Sequence, residues 1–196
     1  VDVDPPADAD KMGDYELTVM LTELKADLNK YLAAAPPAVP TRTLADVIAF
    51  NLHHADQELP VFGQDLFERA QGTNGLEDEA YITALQSSRR MAGPDGLDKI
   101  MQANQLQLLI APTVGPAILI DPINGDAING AGPGSPPAIA GYPHLTVPMG
   151  MVKGLPVGLS LIGPAWSDAA ILGWGASVAK LLGPVPPPSY RRSSVL

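Results

Sequence analysis

The hydrophobic period of this chain changes near its middle, and that change limits the folds open to it. Before residue 104, apolar residues recur at three- and four-residue steps. Leu17, Met20, Leu21, Leu24, Leu28, Tyr31 and Leu32 form one such stripe, as in an amphipathic helix. After residue 106 the apolar runs are short, and they either stay apolar or alternate, as strands do. Helices, then strands, then a closing helical stretch predict an α/β layer structure and not a bundle.

Punctuating residues refine this. Asp14 is placed to cap the first helix and Pro36-Pro37 to stop it. A second helix is expected from Thr43 through Leu44, Val47, Ile48 and Leu52 to about Gln57. A third spans Asp65 to Gln71, with Gly72 ending it. A longer one covers about Glu77 to Met91, with Arg89 and Arg90 at its carboxyl end and Gly93-Pro94 closing it. Another turn or two runs from Gly96 to Asn104. Leu106 to Ala111 reads as a buried strand stopped by Pro112. His144 to Met149 alternates, placing Leu145, Val147 and Met149 on one face, and Val157, Leu159 and Leu161 do the same. Gly150 to Gly154, between those runs, fits a hairpin or a short excursion. Ser167 is expected to N-cap a helix reaching about Leu182, with Gly183 after it. The sheet these strands imply needs further members, and the start at Val1 rather than Met suggests an internal fragment or a processed chain.

Composition removes several function classes. The 196 residues are 46% hydrophobic, enough for a real core. Twelve basic residues against 21 acidic ones, net −9, argue against nucleic acid as a partner, because phosphate contacts need a basic face. No apolar run approaches the ~20 residues needed to span a bilayer, so no membrane partner is expected. Cysteine is absent, which excludes disulfides, a thiol nucleophile and thiolate metal sites and leaves the compartment open.

The segment Thr113 to Pro137 stands out, with five Gly and five Pro in 25 residues. Structureless loops longer than ~12–15 residues are uncommon and often functional. Asp121, Asn124, Asp126, Asn129 and Ser135 are its polar candidates for contacting a substrate; the competing reading is that they only make turns. Elsewhere the search for chemistry returns negatives. His53 and His54 are adjacent and no histidine has a partner at i+4, so no metal site is expected. His144 opens a strand, where a structural or solvent-facing role is expected rather than a catalytic one. There is no G-x-S-x-G elbow, and Gly132-Pro133-Gly134-Ser135 lacks the lysine of a phosphate loop.

Two further elements carry a resemblance. Ala140-Gly141-Tyr142-Pro143-His144-Leu145-Thr146-Val147-Pro148-Met149-Gly150 is followed by Leu155-Pro156-Val157-Gly158-Leu159-Ser160-Leu161-Ile162-Gly163. Together with Trp166-Ser167-Asp168 they resemble the carboxyl-terminal hallmark of amidase-signature enzymes. Phe50-Asn51, Phe62-Gly63-Gln64-Asp65-Leu66-Phe67 and Leu109-Ile110-Ala111-Pro112-Thr113 look like the bacterial peptide amidase branch. The resemblance implies a mixed β-sheet flanked by helices. Residues 1–183 would be the carboxyl-terminal portion of an amidase domain, helical over 14–104, with strands and pocket loop over 106–163 and a closing helix over 167–182. Residues 184–196 would be a proline-rich tail.

It also implies hydrolysis of a carboxamide C–N bond, with a small-molecule or peptide amide as substrate. The work would fall to a serine nucleophile, a second serine and a lysine, without cofactor or metal. No G-G-S-S-G-like segment occurs here, and Lys11, Lys25, Lys30, Lys99, Lys153 and Lys180 match none of the family's catalytic positions. The catalytic residues are therefore expected in a missing amino-terminal portion, and this chain alone is expected to be inactive. The alternative is a stand-alone binding or scaffolding domain of the same fold. The acidic residue that the glutamyl-tRNA amidotransferase A subunit carries before this hallmark is replaced by Gly130-Ala131-Gly132, which argues against a transamidosome role.

Overall fold

The computed structural model describes residues 1–6, 8–128, 132–188 and 190. Asn129, Gly130, Ala131 and the end of the tail lie outside the described residues. The chain forms two compact units, Asp8–Ser88 on its own and Arg89–Leu196 together with Val1–Ala7.

The helical unit contains α1 (Ala9–Ala33), α2 (Leu44–His53), α3 (Ala55–Glu58), α4 (Asp65–Gln71) and the greater part of α5 (Glu79–Ala92). The helix α1 begins before Asp14, which lies inside it. Asp8 precedes it in a left-handed conformation, φ 57°, without a side-chain cap. Its other end is closed by Arg42, whose guanidinium donates to the carbonyls of Leu32, Ala35 and Pro36. The Leu32 carbonyl is in the last turn, where a helix leaves its carbonyls without intrahelical partners, and Ala35 and Pro36 follow the helix end. The expected stripe is only partly covered. Met20 and Tyr31 are exposed, and among the described residues of α1 Met12 and Thr22 are buried.

Thr43, expected as the first residue of this helix, caps α2 in a reciprocal box with Asp46. The helix stops at His53 rather than Gln57. His54 turns out of helical geometry (φ −114°, ψ 33°), and both its backbone N–H and its Nδ1 engage the Phe50 carbonyl. Leu44 is fully buried, and its N–H donates to Asn29 Oδ1. Lys25 Nζ donates to the Gln71 and Thr73 carbonyls at 2.7 and 2.8 Å, satisfying the end of α4. Gly72 follows α4 as predicted, although in the right-handed region.

In the second unit, Gly93-Pro94 does not end the helical path. A π-helical turn over Gly93–Asp98 carries it into α6 (Lys99–Ala103). Proline lacks the N–H for the ladder and clashes with the carbonyl four residues back; a wider turn relieves both conflicts. Glycine is needed here, because a Cβ on Gly96 would strike the Met91 carbonyl oxygen.

Three strands follow: β1 (Leu109–Pro112), β2 (His144–Val152) and β3 (Leu155–Ile162), in the order β1-β3-β2. All pairs are antiparallel, and β1 starts three residues later than the apolar run. The architecture is α/β. The mixed sheet of the resemblance needs parallel partners that the described residues do not include. Lys153 and Gly154, at φ 48° and 78°, make the two-residue turn joining β2 and β3. The register skips Met149, so this residue does not continue the face of Leu145 and Val147.

One face of the sheet packs Val147 and Leu161 against Ile171 of α8 (Asp168–Leu182), with Leu145, Leu159, Trp174 and Val178 around them. Gly175 permits this approach, since a Cβ there would collide with Leu145 Cδ2. Ser167 precedes α8 without capping it, and its hydroxyl donates to the Pro164 carbonyl instead. At one end of the opposite face, Ile162 joins Leu97 and Met101, with Leu106, Leu109, Ala140 and Tyr142 packed alongside. The irregular segment expected over Thr113–Pro137 is shorter than that, because Ser135-Pro136-Pro137 opens α7 (Ser135–Ala140). Proline is tolerated in a first turn, where its missing N–H has no partner to lose.

Candidate functional site

The described part of the 113–134 segment has no regular secondary structure. Three of its five polar candidates come together. Asp121 accepts from the backbone N–H groups of Ile123 and Asn124 through Oδ1, and from Asn124 Nδ2 through Oδ2. Asp126 Oδ1 accepts from the Asp121 N–H at 3.3 Å. Donation from Asn124, backbone and then side chain, and from Ile123 holds the Asp121 carboxyl below its usual range. Asn129 lies outside the described residues, and Ser135 stands apart on α7. With its polar groups engaged in one turn, the segment presents apolar side chains outward: Leu119, Ile120, Ile123 and Ile128 are 68–89% exposed.

The two ends of this segment meet. Gly132 lies against Thr113 so closely that a Cβ would strike the Thr113 carbonyl oxygen. The Thr113 N–H donates to the Gly158 carbonyl at 2.8 Å. From Thr113 a row of polar groups crosses the sheet: Ser160 Oγ donates to Thr113 Oγ1 at 2.9 Å, and His144 Nε2 lies 2.6 Å from Ser160 Oγ. Thr113 Oγ1 points its own hydrogen at Thr146 Oγ1, a longer contact of 3.4 Å. A Cβ on Gly158 would meet Thr146 Cγ2 and Thr113 Oγ1 at 2.6 and 2.9 Å. The glycine therefore leaves room for this row.

Each hydroxyl has one hydrogen to give. Ser160 spends its hydrogen on Thr113, so His144 must be the donor to Ser160 and carries its proton on Nε2. Partial burial lowers the His144 pKa, which favours the neutral ring. A serine whose hydrogen points away from the histidine, and which is itself fully buried, is not set up as a nucleophile in this arrangement. Sequence reading passed over this row. Alternation placed Ser160 and Thr146 on strand faces, but only the register brings Ser160, Thr146 and Ala111 side by side.

Two concavities lie elsewhere in this unit, of about 280 and 530 Å³; the smaller is lined by Asp98, Met101, Gln102, Gln105, Leu106 and Pro164. Neither is lined by a residue of the 113–134 segment. Among the described residues no group of three or more His, Asp or Glu could hold a metal ion, and no helix is long and apolar enough to cross a membrane.

No family model matches the chain. Solved structures and curated relatives do. The native peptide amidase from Stenotrophomonas maltophilia superposes with a TM-score of 0.85 at 42% identity, over 96% of this chain and 37% of that one. The chain belongs to the amidase-signature family. Its match is to a carboxyl-terminal part of that family, close to peptide amidase. A peptide amidase in complex with the competitive inhibitor chymostatin gives a TM-score of 0.83 at 44% identity, over 90% of this chain and 35% of that one. A probable amidase of Arabidopsis thaliana is 33% identical over 159 residues, 80% of this chain and 27% of its own length. The amidase-signature segment described here thus spans about a third of the relatives it matches.

Proposed function

We propose that this chain is the part of a peptide-amidase-like hydrolase that supplies sheet, closing helix and substrate-pocket wall, while the bond-breaking residues lie outside it. The observation that carries the reading is the 42% identity and TM-score of 0.85 to peptide amidase over nearly the whole chain. The residues agree, since the serine and lysine positions that the family resemblance calls for have no match here. The substrate class that follows is a carboxamide, including the amides of peptides.

In this reading the 113–134 segment borders the cleft. Its outward side chains are aliphatic, which suits an apolar substrate side chain, and such pockets combine apolar walls with a few polar groups. Asp121, Asn124, Asp126, Asn129 and Ser135 remain the polar candidates, with Asp121 and Asn124 acting by shaping the turn. Glycines in the segment allow a ligand to approach the backbone closely.

The test compares ammonia release from a peptide amide by the purified 196-residue chain and by the complete gene product. Release by the gene product alone is the expected result. Protein-dependent release by the 196-residue chain would overturn the assignment of catalysis to residues outside it. No release by either would favour a binding or scaffolding role for the same fold.

A further inference from the structure

We infer that His144 and Ser160 are positioning residues that hold the substrate-pocket segment closed at its root, by fixing Thr113 where the two ends of that segment meet. Thr113 is the point of convergence. Its N–H is bonded to Gly158, its hydroxyl accepts from Ser160, and its carbonyl lies against Gly132. Two of these are backbone contacts, and the bond from Ser160 selects the side-chain rotamer. Ser160 in turn is fully buried in the sheet and has one hydrogen. The 2.6 Å contact from His144 Nε2 occupies its acceptor side and directs that hydrogen to Thr113. The row therefore runs in one sense, from His144 to Ser160 to Thr113, and removing its first donor frees the second hydroxyl to rotate.

His144 and Ser160 act through Thr113 and the segment beyond it, not on the scissile bond. Their loss should weaken substrate binding more than turnover. Only this kinetic consequence rests on the amidase reading; the pinning of the segment stands on the geometry.

The experiment uses the complete gene product with His144→Leu, His144→Gln, Ser160→Ala and the double change His144→Leu with Ser160→Ala. Two readouts are taken: amide hydrogen exchange over residues 114–128, and KM and kcat for a peptide amide. His144→Leu and Ser160→Ala should each speed exchange in that segment about fivefold to tenfold, the effect of losing one hydrogen bond. The double variant should add little to either single one, because both break the same row. His144→Gln keeps an N–H donor and should restore slow exchange. KM should rise in step with exchange while kcat stays within about twofold.

Unchanged exchange over 114–128 in both single variants would overturn the inference, as would effects that multiply in the double variant. Protection lost equally across α8 and β3 would assign the pair to general packing of the sheet, also against it. If the unmodified gene product hydrolyses no peptide amide, the amidase reading falls, and the exchange results still decide whether the pair pins the segment.

Discussion

The phenolic hydroxyl of Tyr142 donates to Oδ2 of Asp98 at 2.7 Å, tying the residue before Pro143 to the last residue of the π-helical turn. The ring also covers Gly93, whose absent Cβ would meet the Tyr142 oxygen at 3.2 Å. Burial, and then the Asp98 carboxylate, push the Tyr142 ionisation up to about 12. The folded value lies above the unfolded value of about 10. The bond's contribution is therefore fully present below pH 10 and is lost as pH rises towards 12. Tyr142→Phe should cost about 2 kcal/mol near neutrality. It should also remove this part of the alkaline loss, so denaturation curves of the two proteins should converge as pH rises through that window.

The contact between Gly175 and Leu145 yields a packing prediction. Gly175→Ala places a methyl group into Leu145 Cδ2, with Val147 Cγ1 behind it at 3.7 Å. Overfilling of this kind costs about 1–3 kcal/mol, read as a lowered unfolding midpoint. Shortening the partner, Leu145→Val, should recover part of the loss, because the two positions are in contact and their effects do not add.

How legible all this was in the sequence depended on the range of the interactions. The start of α2 near Thr43, the end of α4 at Gly72 and the β2–β3 hairpin were readable because neighbouring residues decide them. The ends of α1 and α2 were not. Arg42 reaches back to the Leu32, Ala35 and Pro36 carbonyls, and His54 takes the Phe50 carbonyl, so side chains set boundaries that propensity alone does not reveal. Gly93-Pro94 was read as a stop because an α-helical ladder cannot pass a proline; the π turn avoids that conflict. The polar candidates near Asp121 were visible as a group, whereas the His144–Ser160–Thr113 row depends on strand register and was invisible to alternation.

A third prediction concerns Asp121. Its carboxyl is held below its ordinary value by donors from Asn124 and Ile123. A depressed folded value means the turn is favoured above the unfolded value of about 3.9 and is lost as pH falls through the depressed one. The amide signals of Ile123 and Asn124 should shift on acidification below about pH 4. Asp121→Asn should remove that acid dependence, because an amide does not titrate.

Arg42 supplies a fourth test. Arg42→Ala removes the guanidinium donor from the Ala35 carbonyl and leaves the Leu32 and Pro36 carbonyls with backbone donors alone. The expected cost is about 1–3 kcal/mol. Faster hydrogen exchange should be confined to the last turn of α1, and α8 should be unaffected.

The meeting of Gly132 with Thr113 has a consequence for how such a protein can diversify. Once the two ends of a segment are anchored to the sheet, the chain between them can change length cheaply: doubling it adds only about 0.6 kcal/mol of closure entropy. The scaffold then treats that stretch as an exchangeable cassette. Insertions, deletions or wholesale grafts between Val114 and Ala131 would redraw the surface this stretch presents, while the strands, the π turn and α8 keep their sequence and their packing.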